Sequence, residues 1–270
     1  MKTLLKLFAL TLSVILLMSC IVFAEEDNSL QYILDKGTFI VGLDPAFPPM
    51  GFDEDGGIKG YDIDLAQEVC SRLGVELICQ PIDWLSKEME LNRFNIDCIW
   101  NGLSINADRE ESMNLSVPYL NNNQVFVVKN DSTIESFTDL EGKTVGLQGG
   151  SSAEDALNEA TALLETLGEV VPVDDYAIAL MDLDVGGVDA VLMDEVVANY
   201  YITTKQADYR ILTETLVPEL YAIGFRKADE ALNAKVEEIL SDMAKDGKLS
   251  EITVQWFGKD ISLLTGEDAQ

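Results

Sequence analysis

The sequence predicts an α/β protein with two lobes, each built on a mostly parallel sheet flanked by helices. Three observations support this prediction. Apolar strands alternate with amphipathic helices, the alternation forms two successive series, and two polar or proline-bearing segments separate those series. The chain has 270 residues, of which 47% are hydrophobic, enough for one large domain or two modest ones.

The first series predicts strands over residues 39–43, 75–82 and 96–100. A helix is expected over residues 62–73, because its apolar residues recur at helical spacing: Ile63, Ala66, Val69, Cys70 and Leu73. These elements predict the first part of lobe 1, residues 25–121.

The second series predicts strands over residues 125–128, 144–147, 170–173 and 188–193, and a helix over residues 153–167. A strand at 221–225 and a helix at 232–244 then follow. We interpret segments 118–123 and 218–220 as breaks where the chain crosses between lobes. Lobe 2 is therefore expected at 122–220, the return of lobe 1 at 221–260, and a C-terminal tail at 261–270.

Residues 1–24 have the features of a secretory signal peptide: a basic start, an apolar middle and a small-residue exit before acidic residues. Two processing sites compete. Cleavage after Ala24 is favoured, whereas a lipobox-like sequence ending at Cys20 would leave the protein lipid-anchored. We expect an exported protein, in the periplasm or at the outer face of the cytoplasmic membrane.

The charge balance excludes nucleic acid as a partner. The chain has 48 acidic and 18 basic residues, a net charge of −30, and phosphate binding needs clustered Lys and Arg. It contains no histidine, which excludes Ser-His and Cys-His nucleophiles and zinc sites built on imidazole. We expect no enzyme activity, no metal and no cofactor.

The cysteines that follow the leader show no metal-like spacing. A disulfide between Cys70 and Cys79 is compatible with an oxidising compartment. We favour small buried apolar residues as the role of Cys70, Cys79 and Cys98.

Candidate binding residues follow the predicted strands, because ligands of open α/β sheets bind beyond the carboxyl ends of strands. The loop from 148 to 152 precedes a helix, whose N-terminus offers free N–H groups to an anion. The candidates are Asp44, Phe47, Trp84, Asn101, Gly102, Ser104, Arg109, Gly150, Ser151, Ser152 and Asp194.

These side chains together suit a zwitterion. Arg109 can hold a carboxylate with two parallel hydrogen bonds, Asp194 can neutralise an ammonium, and aromatic residues can enclose a side chain. Simpler roles remain open: a surface ion pair for Arg109, a helix N-cap for Asp194, and core packing for Phe47 and Trp84.

The segment Gly60-Tyr61-Asp62-Ile63-Asp64-Leu65, continued by Val69-Cys70 and Leu73, follows the signature of the family 3 extracellular solute-binding proteins. Further matches, in family order, are DPAFPP, GLSINADR, VGLQGGSS, VLMDE, IGFRK and DGKLSEITVQWFG. Within the signature, we expect Gly60 to form a turn and Asp62 to cap the helix.

The resemblance implies a type II periplasmic-binding-protein fold that closes by hinge motion on a free amino acid. It implies a monomer that delivers the amino acid to an ABC importer permease with its cytoplasmic ATPase. By the same resemblance, Arg109 holds the α-carboxylate and Asp194 the α-ammonium, Ser104 and Ser152 add polar contacts, and Phe47 and Trp84 form aromatic walls.

The sequence departs from the family at the side-chain subsite. Asn101-Gly102 replaces the two serines of relatives with known basic ligands, and Met50 replaces a common aromatic residue. Because Asp44 favours a cationic or amide group, arginine, lysine and glutamine-like ligands rank first. Two alternatives are a dehydratase-like enzyme that uses Asp194 and Glu195, and a ligand-sensing module of a signalling receptor.

Overall fold

The structure is a computed structural model that describes residues 27–265. The predicted signal peptide, both candidate processing sites and residues 266–270 lie outside the described residues. Within the described part of the chain, no helix is both long and apolar enough to span a membrane.

A nine-stranded mixed sheet runs through the protein. The strands are β1 (Thr38–Leu43), β5 (Glu76–Pro81), β6 (Cys98–Ser104), β7 (Met113–Leu115), β8 (Leu120–Lys129), β9 (Thr144–Gln148), β10 (Glu169–Val173), β11 (Ala190–Asp194) and β12 (Tyr209–Arg226). Eight of them follow the order β10-β9-β11-β8-β12-β6-β1-β5, and β7 pairs with β12. A second sheet contains β2 (Ala46–Phe47), β3 (Gly51–Glu54) and β4 (Gly57–Lys59).

Each lobe has its own parallel set of strands. In the first lobe β1 is parallel to β5 and β6, and in the second lobe β9 is parallel to β10 and β11. The α/β class and the two-lobed architecture predicted from the alternating pattern are therefore confirmed.

Residues 120–123 of the first crossing segment belong to β8 and residues 218–220 belong to β12, so the prediction of breaks is wrong over these residues. Pro218 lies opposite Asn123 and Leu220 opposite Asn121 in the antiparallel ladder between β8 and β12. Ladder hydrogen bonds satisfy the backbone of these polar residues. Pro218 follows directly on a register irregularity between Thr215 and Val217, a place where a missing N–H is tolerated. The predicted lobe boundaries, at 121/122 and 220/221, fall inside these strands and stay a prediction.

Helices cover the sheet faces. They are α1 (Ser29–Lys36), α2 (Tyr61–Leu73), α3 (Lys87–Asn92), α4 (Ala107–Ser112), α5 (Ser152–Glu159), α6 (Thr161–Leu164), α7 (Tyr176–Val185), α8 (Glu195–Thr203), α9 (Glu230–Asp246) and α10 (Lys248–Phe257), with 3-10 helices at Trp84–Ser86 and Phe137–Leu140. The single helix predicted over 153–167 is wrong, since the chain changes direction at Ala160. After this change Leu163, Leu164 and Leu167 pack against the core of the second lobe.

Asp62 does not cap α2, so that part of the interpretation of the signature is wrong. Gly60 occupies the N-cap position, and the fully buried Asp62 carboxylate turns inward. It accepts hydrogen bonds from Gly102 N (2.8 Å) and from the Tyr119 hydroxyl (2.9 Å). Burial raises the pKa of Asp62 to about 7. The signature aspartate thus anchors strand β6 behind the cleft.

The three cysteines among residues 27–265 form no disulfide. Cys70 and Cys98 are buried and Cys79 is half-buried. Their role as small apolar residues is confirmed for the two buried side chains, and burial raises the pKa of all three thiols.

Candidate functional site

A cavity lies between the lobes, where the carboxyl ends of β1, β6, β9 and β11 converge. Its volume is only about 10 Å³, room for about one water molecule, so the cleft is closed. The lining residues are Phe47, Trp84, Gly102, Arg109, Gln148, Ser151, Ser152 and Asp194.

Arg109 enters this cavity from α4 in the first lobe. The Asn106 side chain caps α4 by accepting a hydrogen bond from Arg109 N (2.9 Å), which fixes the first turn. The guanidinium is buried, and its Nη1 donates to Ser104 O at 2.7 Å. Among residues 27–265 it forms no ion pair. Burial lowers the pKa of Arg109, opposed by the more distant carboxylates of Asp155, Glu219 and Asp194.

Asp194 enters from the second lobe at the end of β11. It stands at the N-cap position of α8, but its side chain makes no capping bond. Its carboxylate instead accepts from the Tyr221 hydroxyl (2.6 Å), the Asn122 amide (2.6 Å) and the Tyr176 hydroxyl (2.9 Å). Burial, and then repulsion by Glu219, raise the pKa of Asp194. The carboxyl group is therefore held in place inside the cleft by neutral donors.

Glu219 belongs to the site and was missed from sequence, because the segment 218–220 was interpreted only as a crossing. Its Oε2 accepts from Ser104 Oγ (2.7 Å), Gln124 Nε2 (2.9 Å), Asn122 Nδ2 (3.1 Å) and Ser152 Oγ (3.3 Å). One signal was available in the sequence: side chains two residues apart in a strand share a face, so alternate residues of the crossing strands point to the same side of the sheet.

The predicted anion loop is largely occupied by the protein's own groups. Gly150 N donates to the Glu154 carboxylate (2.6 Å), and Ser151 Oγ donates to Gln148 O (2.7 Å) while also capping α5. Ser152 Oγ points across the cleft and lies 3.0 Å from Ser104 Oγ. Within this loop, Ser152 is the residue whose hydroxyl meets the opposite lobe.

Phe47 and Trp84 both line the cavity and are more than nine-tenths buried. The Phe47 ring lies 5.8 Å from the ring of Tyr176, so Tyr176 contributes both a ring contact and a hydrogen bond to Asp194. Tyr176 is not among the residues predicted from sequence, because it follows no predicted strand directly and belongs to none of the matched motifs.

Four of the predicted residues, Asp44, Asn101, Ser104 and Gly150, lie outside the cavity lining, and the first two support it. The Asn101 side chain accepts from Asp44 N (2.9 Å) and donates to Gly51 O (3.4 Å), and so holds the loop after β1. Asp44 Oδ2 accepts from Gln148 Nε2 (2.7 Å) across the cleft. Burial raises the pKa of Asp44 to about 6.

Gly102 is required by the backbone. Its φ is +58°, and an added Cβ would lie 2.7 Å from Phe47 Cε1 and 3.1 Å from the Tyr221 ring. A serine at this position would be strained and would displace the aromatic wall.

Lys87 is a second cation near the cavity, and it is not among the residues predicted from sequence. It is buried on α3, 5.2 Å from the Trp84 ring centroid, and its Nζ donates to Gly150 O (2.9 Å) in the opposite lobe. Burial, and then repulsion by Arg109, lower the pKa of Lys87 to about 8. Lys87 thus joins the two lobes on the side of the cavity where Arg109 lies.

Two α/β lobes closed on a small polar cavity, with a hinge of two antiparallel strands, define a type II periplasmic binding protein. The chain belongs to the bacterial extracellular solute-binding proteins, family 3, whose sequence profile matches residues 39–259.

Relatives with assigned ligands cover most of the chain. The L-cystine-binding protein TcyJ of Escherichia coli (strain K12) is 30% identical over 89% of this chain and 90% of its own length. The ABC transporter arginine-binding protein 1 of the same organism is 27% identical over 80% and 89%. A crystal structure of an ABC uptake transporter substrate-binding protein from Streptococcus pneumoniae with bound histidine has a TM-score of 0.85 and 38% identity, covering 89% and 100%. These relatives are solute-binding proteins rather than enzymes.

Proposed function

We propose that this chain captures a free polar amino acid between its lobes and delivers it to the permease of an ABC importer. Arginine, lysine and glutamine are the first candidate ligands. The observation that carries the proposal is the placement of Arg109 and Asp194 in the lining of one closed cavity, each contributed by a different lobe. Among residues 27–265 neither has an oppositely charged ion-pair partner.

An amino acid supplies both missing partners. Its α-carboxylate can accept from the guanidinium N–H groups of Arg109 that Ser104 O does not use. Its α-ammonium can donate to Asp194, whose oxygens are already oriented by two tyrosines. Because both groups are buried, each charge is worth more to the ligand there than in water.

The side chain of the ligand would lie between Phe47 and Trp84 and meet Asp44 and Gln148 beyond them. Asp44 accepts and the Gln148 amide both accepts and donates, so a guanidinium, an ammonium or an amide can exchange with their mutual hydrogen bond. The cystine and histidine ligands of relatives belong in the same test.

Capture requires hinge closure. The cavity is too small for an amino acid, so the ligand must enter while the lobes are apart. The carboxylate docks on Arg109 first, and the second lobe then brings Asp194 and Ser152 over it. This shifts an open–closed equilibrium toward the form presented to the permease and its ATPase. We propose that the protein acts as an exported monomer, released by cleavage after Ala24.

A thermal-shift screen tests this function. Residues 25–270, unfolded and refolded to remove carried-over ligand, are screened against the common amino acids and L-cystine, and positive results are titrated by calorimetry. A ligand that binds only the folded state raises the melting temperature, so one or a few polar amino acids should give a clear shift. No shift with any of these compounds would contradict the proposal.

A further inference from the structure

We propose that Glu219 is a positioning residue of the ammonium subsite: together with Asp194 and Ser104 it forms a pocket of acceptors that selects ligands with a primary ammonium. This inference rests on the proposed function and adds a specificity determinant to it.

The two carboxylates flank a single amide group. Asn122 Nδ2 donates to Asp194 Oδ1 at 2.6 Å and to Glu219 Oε2 at 3.1 Å. Asn122 and Glu219 lie opposite each other on the crossing strands, and Asp194 approaches from the end of β11. The geometry therefore brings two carboxyl groups together, of which Asp194 lines the cavity and Glu219 lies behind it.

Among the described residues, no ion pair includes Asp194 or Glu219. Arg109 acts on both carboxylates only over a longer distance. Every donor that the two carboxylates use is a neutral hydroxyl or amide. Neutral donors reduce the cost of burying the charges but leave their mutual repulsion. A cationic ligand group placed beside the two would relieve that repulsion.

Glu219 also fixes the direction of a hydroxyl. Ser104 Oγ lies 2.7 Å from Glu219 Oε2, and a carboxylate has no proton to give, so the serine must be the donor. A hydroxyl has one proton, so once Ser104 donates it, only lone pairs remain for other partners. Ser104 is thereby held as an acceptor, which suits an ammonium and disfavours a carboxylate.

The consequence is a corner in which Asp194, Glu219 and Ser104 all accept. A primary ammonium has three N–H groups and can use all three, whereas a secondary ammonium has only two. A deaminated analogue brings no donor at all. Glu219 should therefore contribute selectivity at the α-carbon, independently of the side-chain subsite.

Calorimetric titration of wild type and Glu219→Gln tests the inference. The ligands are L-arginine, L-glutamine, L-histidine and L-cystine, and 5-guanidinopentanoic acid serves as the deaminated counterpart of arginine. We expect Glu219→Gln to weaken amino-acid binding by roughly ten- to a hundredfold. Affinity for the deaminated compound should fall by less than about threefold, because this compound has no ammonium to interact with the carboxylate. Glu165→Gln removes the same charge at an exposed position and should change neither affinity.

Ser104→Ala provides a second route should Glu219→Gln fail to fold. Ser104→Ala should likewise weaken the binding of amino acids more than that of the deaminated compound. The double variant should lose less binding free energy than the sum of the two single losses, because Glu219 acts partly through Ser104. An unchanged or tighter affinity for amino acids in Glu219→Gln, or equal losses for both kinds of ligand, would overturn the inference while leaving the proposed function standing. No binding of any amino acid by wild type would overturn both.

Discussion

The Asp44 carboxylate of the first lobe accepts a hydrogen bond from Gln148 Nε2 of the second lobe at 2.7 Å. Both side chains are buried. Because they belong to different lobes, the bond exists only when the cleft is closed. Gln148 also donates to Asp174 O, which keeps its amide aimed at the cleft. This contact, rather than the hinge, is where the closed form can be weakened without touching Arg109 or Asp194.

Gln148→Ala should therefore disfavour closure. The variant leaves Asp44 buried without its cross-cleft donor, at a cost of about 1–3 kcal/mol to the closed form. We expect amino-acid affinity to fall by roughly five- to a hundredfold. Calorimetry measures this, with the exposed Gln31→Ala as a matched control; an unchanged affinity would show that the bond does not contribute to closure.

Asp44 should also give a defined pH dependence of stability. Burial raises the folded-state pKa of Asp44 from its ordinary value of 3.8 to about 6, so between these values the folded protein binds a proton that the unfolded chain has lost. The contribution of Asp44 to the free energy of unfolding is therefore present below about pH 4 and lost as pH rises to about 6.

Urea unfolding of wild type and Asp44→Asn from pH 4 to pH 7 tests this sign. The stability of the variant relative to wild type should increase with pH by up to about 3 kcal/mol and then level off. A difference that stays flat, or changes in the opposite direction, would contradict burial as the dominant influence on this carboxyl group.

Gly102→Ser probes why this chain departs from relatives with two serines. The left-handed backbone and the approach of Phe47 should together cost about 1–3 kcal/mol of stability. Gly102→Ala carries the same strain without the hydroxyl and should cost a similar amount, as measured by chemical denaturation. Wild-type stability in the serine variant would mean that the backbone relaxes to a different conformation.

Arg109→Ala should remove most amino-acid affinity, by about a hundredfold or more, while the fold persists. Its buried guanidinium makes one bond to a backbone carbonyl and, within residues 27–265, no ion pair, so little native stability depends on it. Arg109→Lys keeps the charge but cannot form bidentate hydrogen bonds to a carboxylate. Its amino-acid affinity, measured by calorimetric titration, should lie between those of wild type and Arg109→Ala. Equal affinities for wild type and Arg109→Ala would remove Arg109 from the site.

The strands at the centre of each lobe could be predicted because they are continuous apolar runs, as at 39–43 and 188–193. The crossing strands could not, since Asn121, Asn122 and Asn123 resemble a loop until the ladder with β12 satisfies their backbone. Local composition carries no information about a partner strand nearly a hundred residues away.

The same limit applies to the site. Arg109, Asp194 and the aromatic walls follow strand ends and family motifs, so they could be predicted. Glu219 and Lys87 reach the cleft only through the register of β12 and the docking of α3 against the opposite lobe. Asp62 shows the converse: its motif was recognised, but its inward turn toward Gly102 depends on tertiary packing.

Small-angle X-ray scattering tests whether the lobes close on an amino acid that is held by Arg109 and Asp194. Residues 25–270 are measured after refolding, with and without a saturating concentration of the amino acid that gives the largest thermal shift. We expect a smaller radius of gyration with the amino acid for wild type and no such change for Arg109→Ala. Identical scattering in both states of the wild type, with binding established by calorimetry, would contradict capture by closure.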